Sequence, residues 1–374
     1  SNASVLRHVE VRYSGRRYEG GSYYNFALWV SNAAPTISES VFRDVYDTAV
    51  RIDNPPANPP AGLIFSGNEI RDGTTGLSLN ATGDGLGEAD IHGNTVTVSG
   101  TGLAIAWGNS GAVTVASNTV TVTGGTGIGV TVGALALVDV QDNVVTGGST
   151  GIAVSGGALV VEDNVVTGAG LGLSLGNAGT AAVPAQVRNN SVSGGGDGLK
   201  LANGHYSLSG NSIAGSGYKF LTVGTVSVAG ATRAQFDWST GQRGVAVSGT
   251  ISADTLWSPT VSLQEPYILT SSVTVAEGVT LQLEPGTVVK FVQADNVGHK
   301  LRLKVNGILD AQGTAAEPIY FTSSRDNSAE TGGDTDGSGT LPAAGDWGYI
   351  RLNGEWSNAS VLRHVEVRYS GRRY

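Results

Sequence analysis

What most limits the folds open to this chain is a short internal period. Between residues 60 and 222, an asparagine leading into a short apolar segment recurs at Asn68, Asn94, Asn118, Asn143, Asn164, Asn190 and Asn211. The steps between them are 26, 24, 25, 21, 26 and 21 residues. A glycine followed by apolar-x-apolar trails each of the first six: Gly76-Leu77-Ser78-Leu79, Gly102-Leu103-Ala104-Ile105, and so on to Gly198-Leu199-Lys200-Leu201. Each period holds about three short alternating segments, such as Val113-Thr114-Val115, Val120-Thr121-Val122 and Ile128-Gly129-Val130. Period-two alternation predicts strands with one buried face. Strands this short cannot make a sheet within one period; they gain ladder hydrogen bonds only if the next period stacks directly on the last.

That arrangement is an all-β parallel β-helix, a β-solenoid with three short strands per coil of about 21–26 residues and a rise of about 4.8 Å per coil. Coils this long favour the right-handed form, although spacing alone does not fix the hand. Asparagine suits the corner because it tolerates left-handed backbone. Its amide can also pair with the asparagines above and below in a ladder, so the whole series reads as structural.

A second repeat frames the first. Residues 357–374 are SNASVLRHVEVRYSGRRY, identical to residues 1–18. The expectation is a unit of 356 residues from a tandem array, with copies following head to tail. Residues 1–222 read as the second part of one β-helix unit and 267–374 as the first part of the next. Residues 223–266, which break the period and hold two tryptophans, read as a junction.

Composition closes off several classes. Glycine is 56 of 374 residues and charged residues are only 14%, against about 25% charged in ordinary globular chains. With 40% apolar residues the chain is not disordered. The absence of cysteine removes disulfides and thiolate chemistry. A net charge of −9 without a basic run argues against nucleic acid as a partner, and no stretch has the roughly 20 apolar residues of a membrane span.

From about Leu263 to Tyr374, and on through residues 1–65, the sequence resembles the right-handed β-helix modules of secreted bacterial and archaeal surface proteins. The resemblance lies in Gly278-Val279-Thr280-Leu281, Glu284-Pro285-Gly286-Thr287-Val288-Val289, Val305-Asn306-Gly307-Ile308-Leu309-Asp310-Ala311-Gln312-Gly313-Thr314, Pro318-Ile319-Tyr320-Phe321 and Gly345-Asp346-Trp347-Gly348. It implies a β-helix in an extracellular or cell-surface setting. Such modules serve as stalks and surface layers, and some act on glycans.

Few candidate sites emerge. Asp326, Glu330, Asp334, Asp336 and Ser338 lie in an acidic, glycine-rich loop, 326–339, that reads as a calcium-loop candidate, since hard cations take several oxygen ligands on a flexible backbone. It lacks the terminal glutamate of the EF-hand pattern, and a solvated loop is the alternative. Arg43, Asp44, Asp47, Arg51 and Asp53 would suit acid–base work but read as a surface ion-pair cluster. The six tryptophans read as packing residues rather than sugar platforms. Histidines 8, 92, 205, 299 and 364 are too scattered for a zinc site.

The expectation is therefore a structural repeat unit of an extracellular filament, stalk or giant adhesin, without enzymatic activity and requiring no cofactor, calcium being the one candidate ligand. Its partners would be neighbouring copies and surface glycans. The alternative is a glycan-binding or glycan-degrading β-helix module.

Overall fold

The computed structural model describes residues 4–14, 17–19, 22–56, 62–81, 87–108, 110–293 and 301–371. His299 lies outside the described residues. The chain divides into two compact units. The first comprises Ser1–Leu199 and Gly204–Ile213, and the second Lys200–Asn203 and Ala214–Tyr374.

In the first unit each coil contributes one strand to each of three parallel stacks. A representative coil is Ala112–Ala116, Thr119–Val122 and Thr126–Val132. These pair in parallel with Leu137–Gln141, Val144–Gly147 and Thr150–Ser155 of the coil that follows. Because the register holds, inward residues meet inward residues. Ile91, Val115, Val140, Val161 and Val187 form one fully buried column. β-Branched residues suit these positions because their restricted side chains pack well on a pleated surface.

The two sequence markers are the two kinds of corner. The seven asparagines are all buried, and each amide Nδ2 of the first six donates to Oδ1 of the next asparagine at 2.9–3.0 Å. The left-handed backbone, however, belongs to the preceding residue, not to the asparagine. Gly67, Gly93, Ser117, Asp142, Asp163, Asn189 and Gly210 have φ between 54° and 64°. That bend turns the following asparagine into the core, where an amide can satisfy main-chain groups of two coils at once. At the other corner glycine is needed for space. A Cβ on Gly102 would lie 2.3 Å from Val120 Cγ1 and 2.5 Å from the Gly127 carbonyl oxygen.

The second unit keeps the parallel stacking with less regular coils. Tyr267–Val275 pairs with Val288–Phe291 and with Leu303–Val305. Leu303–Val305 in turn pairs with Ile350–Leu352, and Ile308–Gln312 and Ile319–Ser323 carry Val361–Arg363 and Val365–Val367. Phe291 stacks on the buried Trp347 with ring centroids 3.9 Å apart. Residues 223–266 themselves contain ladder strands. Phe220–Ala229 pairs in parallel with Val245–Ile251, which pairs with Tyr267–Val275. Phe236 stacks on Phe220 at 5.1 Å and packs against Trp238. No helix among the described residues is long and apolar enough to cross a membrane.

Candidate functional site

The acidic loop is organised around a buried lysine. Lys290 is fully buried, and its Nζ donates to the carbonyls of Asp326 (2.8 Å) and Gly333 (2.7 Å). Burial pushes its pKa down to about 8, although Asp326, Asp334 and Asp336 pull the other way. The five residues of the calcium-loop candidate do not converge. Asp326 accepts from Thr322 Oγ1 (2.7 Å) and Ser328 Oγ (2.8 Å). Burial disfavours its charge, but those hydrogen bonds outweigh burial and hold its pKa below the usual range. Glu330 pairs with Arg368 at 3.0 Å. Asp334 caps the amides of Asp336 and Gly337, and Asp336 accepts from the amide and hydroxyl of Ser338. Among the described residues no three His, Cys, Asp or Glu side chains come together as a metal site requires.

Of the cluster Arg43, Asp44, Asp47, Arg51 and Asp53, only the last pair shares a concave face. Arg51 Nε donates to Asp53 Oδ2 at 2.7 Å, and Trp29 Nε1 donates to the same oxygen at 2.9 Å. Arg43 instead reaches Glu10 at 2.7 Å. Ladder register sets Trp29 beside Arg51, then Ser78, Ala104 and Gly129 in successive coils. The small residues leave a shallow cleft of about 460 Å³, lined by Arg51, Asp53, Ser78, Asn80, Ala104 and Gly129 among others. Trp29 is 50% exposed, so it is not the core residue that sequence reading expects. Asp53 is buried, and its Oδ1 has no hydrogen-bond partner.

A second face, which sequence reading missed, lies in the second unit. The alternating strands Leu303–Val305 and Ile350–Leu352 bury Leu303 and Val305 and turn Lys304 and Arg351 outward in direct register. Thr274 is the next residue of that column. Alongside it, Arg302 lies over the Tyr349 ring at 5.3 Å, and Tyr349 is 44% exposed. Asn353 Nδ2 donates to Asn306 Oδ1, and Arg351 donates to Asn353 Oδ1. Among the described residues no carboxylate pairs with Arg302, Lys304 or Arg351. Like charges directly opposite one another cost a sheet stability, and a local rule broken without compensation points to a functional surface. The one clue in sequence is the apolar-cation-apolar pattern of the two strands. Nothing in it reveals that 47 residues of separation close into one ladder step.

A family model described as a right handed beta helix region matches residues 26–183, and one described as a pectate-lyase like beta helix domain matches residues 249–371. No curated protein and no solved structure matches the chain. The second match overturns the expectation of a chain without enzymatic activity, because it points toward polysaccharide lyase or hydrolase chemistry. It also spans the whole cationic face. By these matches and the ladders that underlie them, the chain is an all-β parallel β-helix protein, one segment of which is similar to a right-handed β-helix region and another to a pectate-lyase-like β-helix domain.

Proposed function

We propose that this chain binds an acidic, uronate-bearing polysaccharide on the Arg302–Lys304–Arg351 face and acts on it as a lyase- or hydrolase-like module. The observation that carries the reading is a cationic column with no carboxylate partner among the described residues, on a chain of net charge −9, inside the segment that matches a pectate-lyase-like domain. Cations one ladder step apart, about 4.8 Å, can meet carboxylates along a polyuronate. Guanidinium adds bidentate geometry, and the exposed Tyr349 ring offers an apolar platform for a sugar face. The test is binding of polygalacturonate against neutral dextran, with appearance of an unsaturated uronate product followed by ultraviolet absorbance. Lys304→Ala with Arg351→Ala is expected to weaken polyuronate binding on the order of 10-fold or more, in a salt-dependent way. Equal binding of the neutral polymer, or no loss in the double variant, would defeat the reading.

A repeat unit of an extracellular filament, stalk or adhesin is a second reading, favoured by the identity of residues 357–374 with 1–18. Electron microscopy of native material tests it by the presence or absence of a regular axial repeat.

A further inference from the structure

The peptide Val-Leu-Arg-His-Val-Glu-Val-Arg occurs at 5–12 and again at 361–368, and the two occurrences are paired on opposite edges. In the first, Val5, Leu6 and Arg7 lie beside Thr36, Ile37 and Ser38, while Glu10, Val11 and Arg12 lie beside Val41, Phe42 and Arg43. In the second, Val361, Leu362 and Arg363 lie beside Asp310, Ala311 and Gln312, while Val365, Glu366 and Val367 lie beside Ile319, Tyr320 and Phe321. The main-chain groups divide in the same way. The carbonyls of Ser4 and Val9 accept from Thr36 and Val41, whereas those of Arg363 and His364, equivalent to Arg7 and His8, accept from Gly313 and Ile319. The carbonyls engaged on one edge are not those engaged on the other.

We infer that residues 361–368 of one copy of this chain dock against Thr36–Arg43 of a second copy, in the register that residues 5–12 hold there, by exchange of that coil between copies. Merging the two contexts aligns the core. Leu362 falls between Ala311 and the second copy's equivalent of Ile37, and Val367 falls between Phe321 and its equivalent of Phe42. Ala311, Phe321, Ile37 and Phe42 are all fully buried. In the structure Leu362 is 43% and Val367 49% exposed, so docking covers apolar surface already in phase with a core. The strand that follows in chain order, Phe26–Ser31, then lies over Ile350–Leu352. Leu28 and Val30 are only half-buried there, whereas their neighbours Val50 and Ile52 are fully buried. A second copy of the chain is the occupant that carries this sequence on this edge.

This inference deepens the repeat-unit reading, but it concerns the contact alone. The chain has no cysteine, so single cysteines can report the register. Thr36→Cys and Val361→Cys are made in separate chains, both at partly or fully exposed positions, and mixed under oxidising conditions after circular dichroism confirms that each is folded. Paired parallel strands bring Cα atoms within disulfide reach. A covalent dimer is expected from this pair, and little from Arg43→Cys mixed with Val361→Cys, because Arg43 belongs opposite Arg368. Absence of the first cross-link, or equal yield from both pairs, would overturn the inference. If the cross-link forms but native material shows no axial repeat, the contact stands and the filament reading falls.

Discussion

Asn118 shows what a single amide does in this fold. Its Nδ2 donates to Ile91 O (2.9 Å), Ala116 O (3.1 Å) and Asn143 Oδ1 (3.0 Å), and its Oδ1 accepts from the Asn94 amide and side chain. Asn118→Ala leaves several buried main-chain groups without partners, and denaturant unfolding should show a loss of roughly 2–4 kcal/mol. Asn118→Asp should cost more, since it removes donors and buries a charge. Lys290 makes a different prediction. Its folded pKa of about 8 lies below its ordinary value of 10.5. Between those limits the unfolded chain holds a proton that the folded one has released, so folding stability gained from this group rises with pH through the window. The stability of the natural chain relative to Lys290→Met should climb by up to roughly 3 kcal/mol from pH 8 to 10.5. A flat difference would mean that the ammonium is not held in the dry site. Because Lys290 already draws the 326–339 loop together, a calcium chelator should leave the melting temperature unchanged. A drop of several degrees would restore calcium to that loop.

At the scale of the coil, the glycine corner separates space from conformation. A Cβ on Gly127 would sit 2.3 Å from Val145 Cγ1 and 2.7 Å from the Gly151 carbonyl oxygen, whereas on Gly129 its nearest neighbour would be 3.7 Å away. Gly127→Ala should therefore lower stability by about 1–3 kcal/mol or more, and Gly129→Ala by under about 0.5 kcal/mol, both read by thermal unfolding. Period, strand number per coil and stacking are legible in the sequence because every coil repeats one set of local constraints. The left-handed position was harder to place. Seven different coils fill it with Gly, Ser, Asp or Asn, so only the constant asparagine after it stands out. The cationic face was hidden for another reason. A long excursion, residues 324–349, separates its two strands, and stacking rather than spacing brings Lys304 to Arg351. In the acidic loop Asp334 and Asp336 are drawn into turns of its own backbone and Glu330 onto Arg368, and the lysine at its centre, which the spacing of the loop cannot reveal, comes from residue 290 on a strand outside it.

For the molecule as a whole, the regions matching the two family descriptions carry different surfaces. The first offers Trp29, Arg51 and Asp53 above a floor of small side chains, and the second a row of cations with no carboxylate partner among the described residues. Trp29→Ala should leave the second unit's affinity for polyuronate unchanged, as isothermal titration of the full chain can show. The ladders of the first unit have a mechanical consequence. Their hydrogen bonds point from each coil to the next, along the direction of stacking, and each coil is 21 to 26 residues of chain. Tension applied along that direction loads the coils in series, so each must yield separately. A single-molecule pulling trace should lengthen in increments of about 80 Å, the reach of one uncoiled turn at about 3.4 Å per residue. The unit would behave as a tape that pays out one turn at a time.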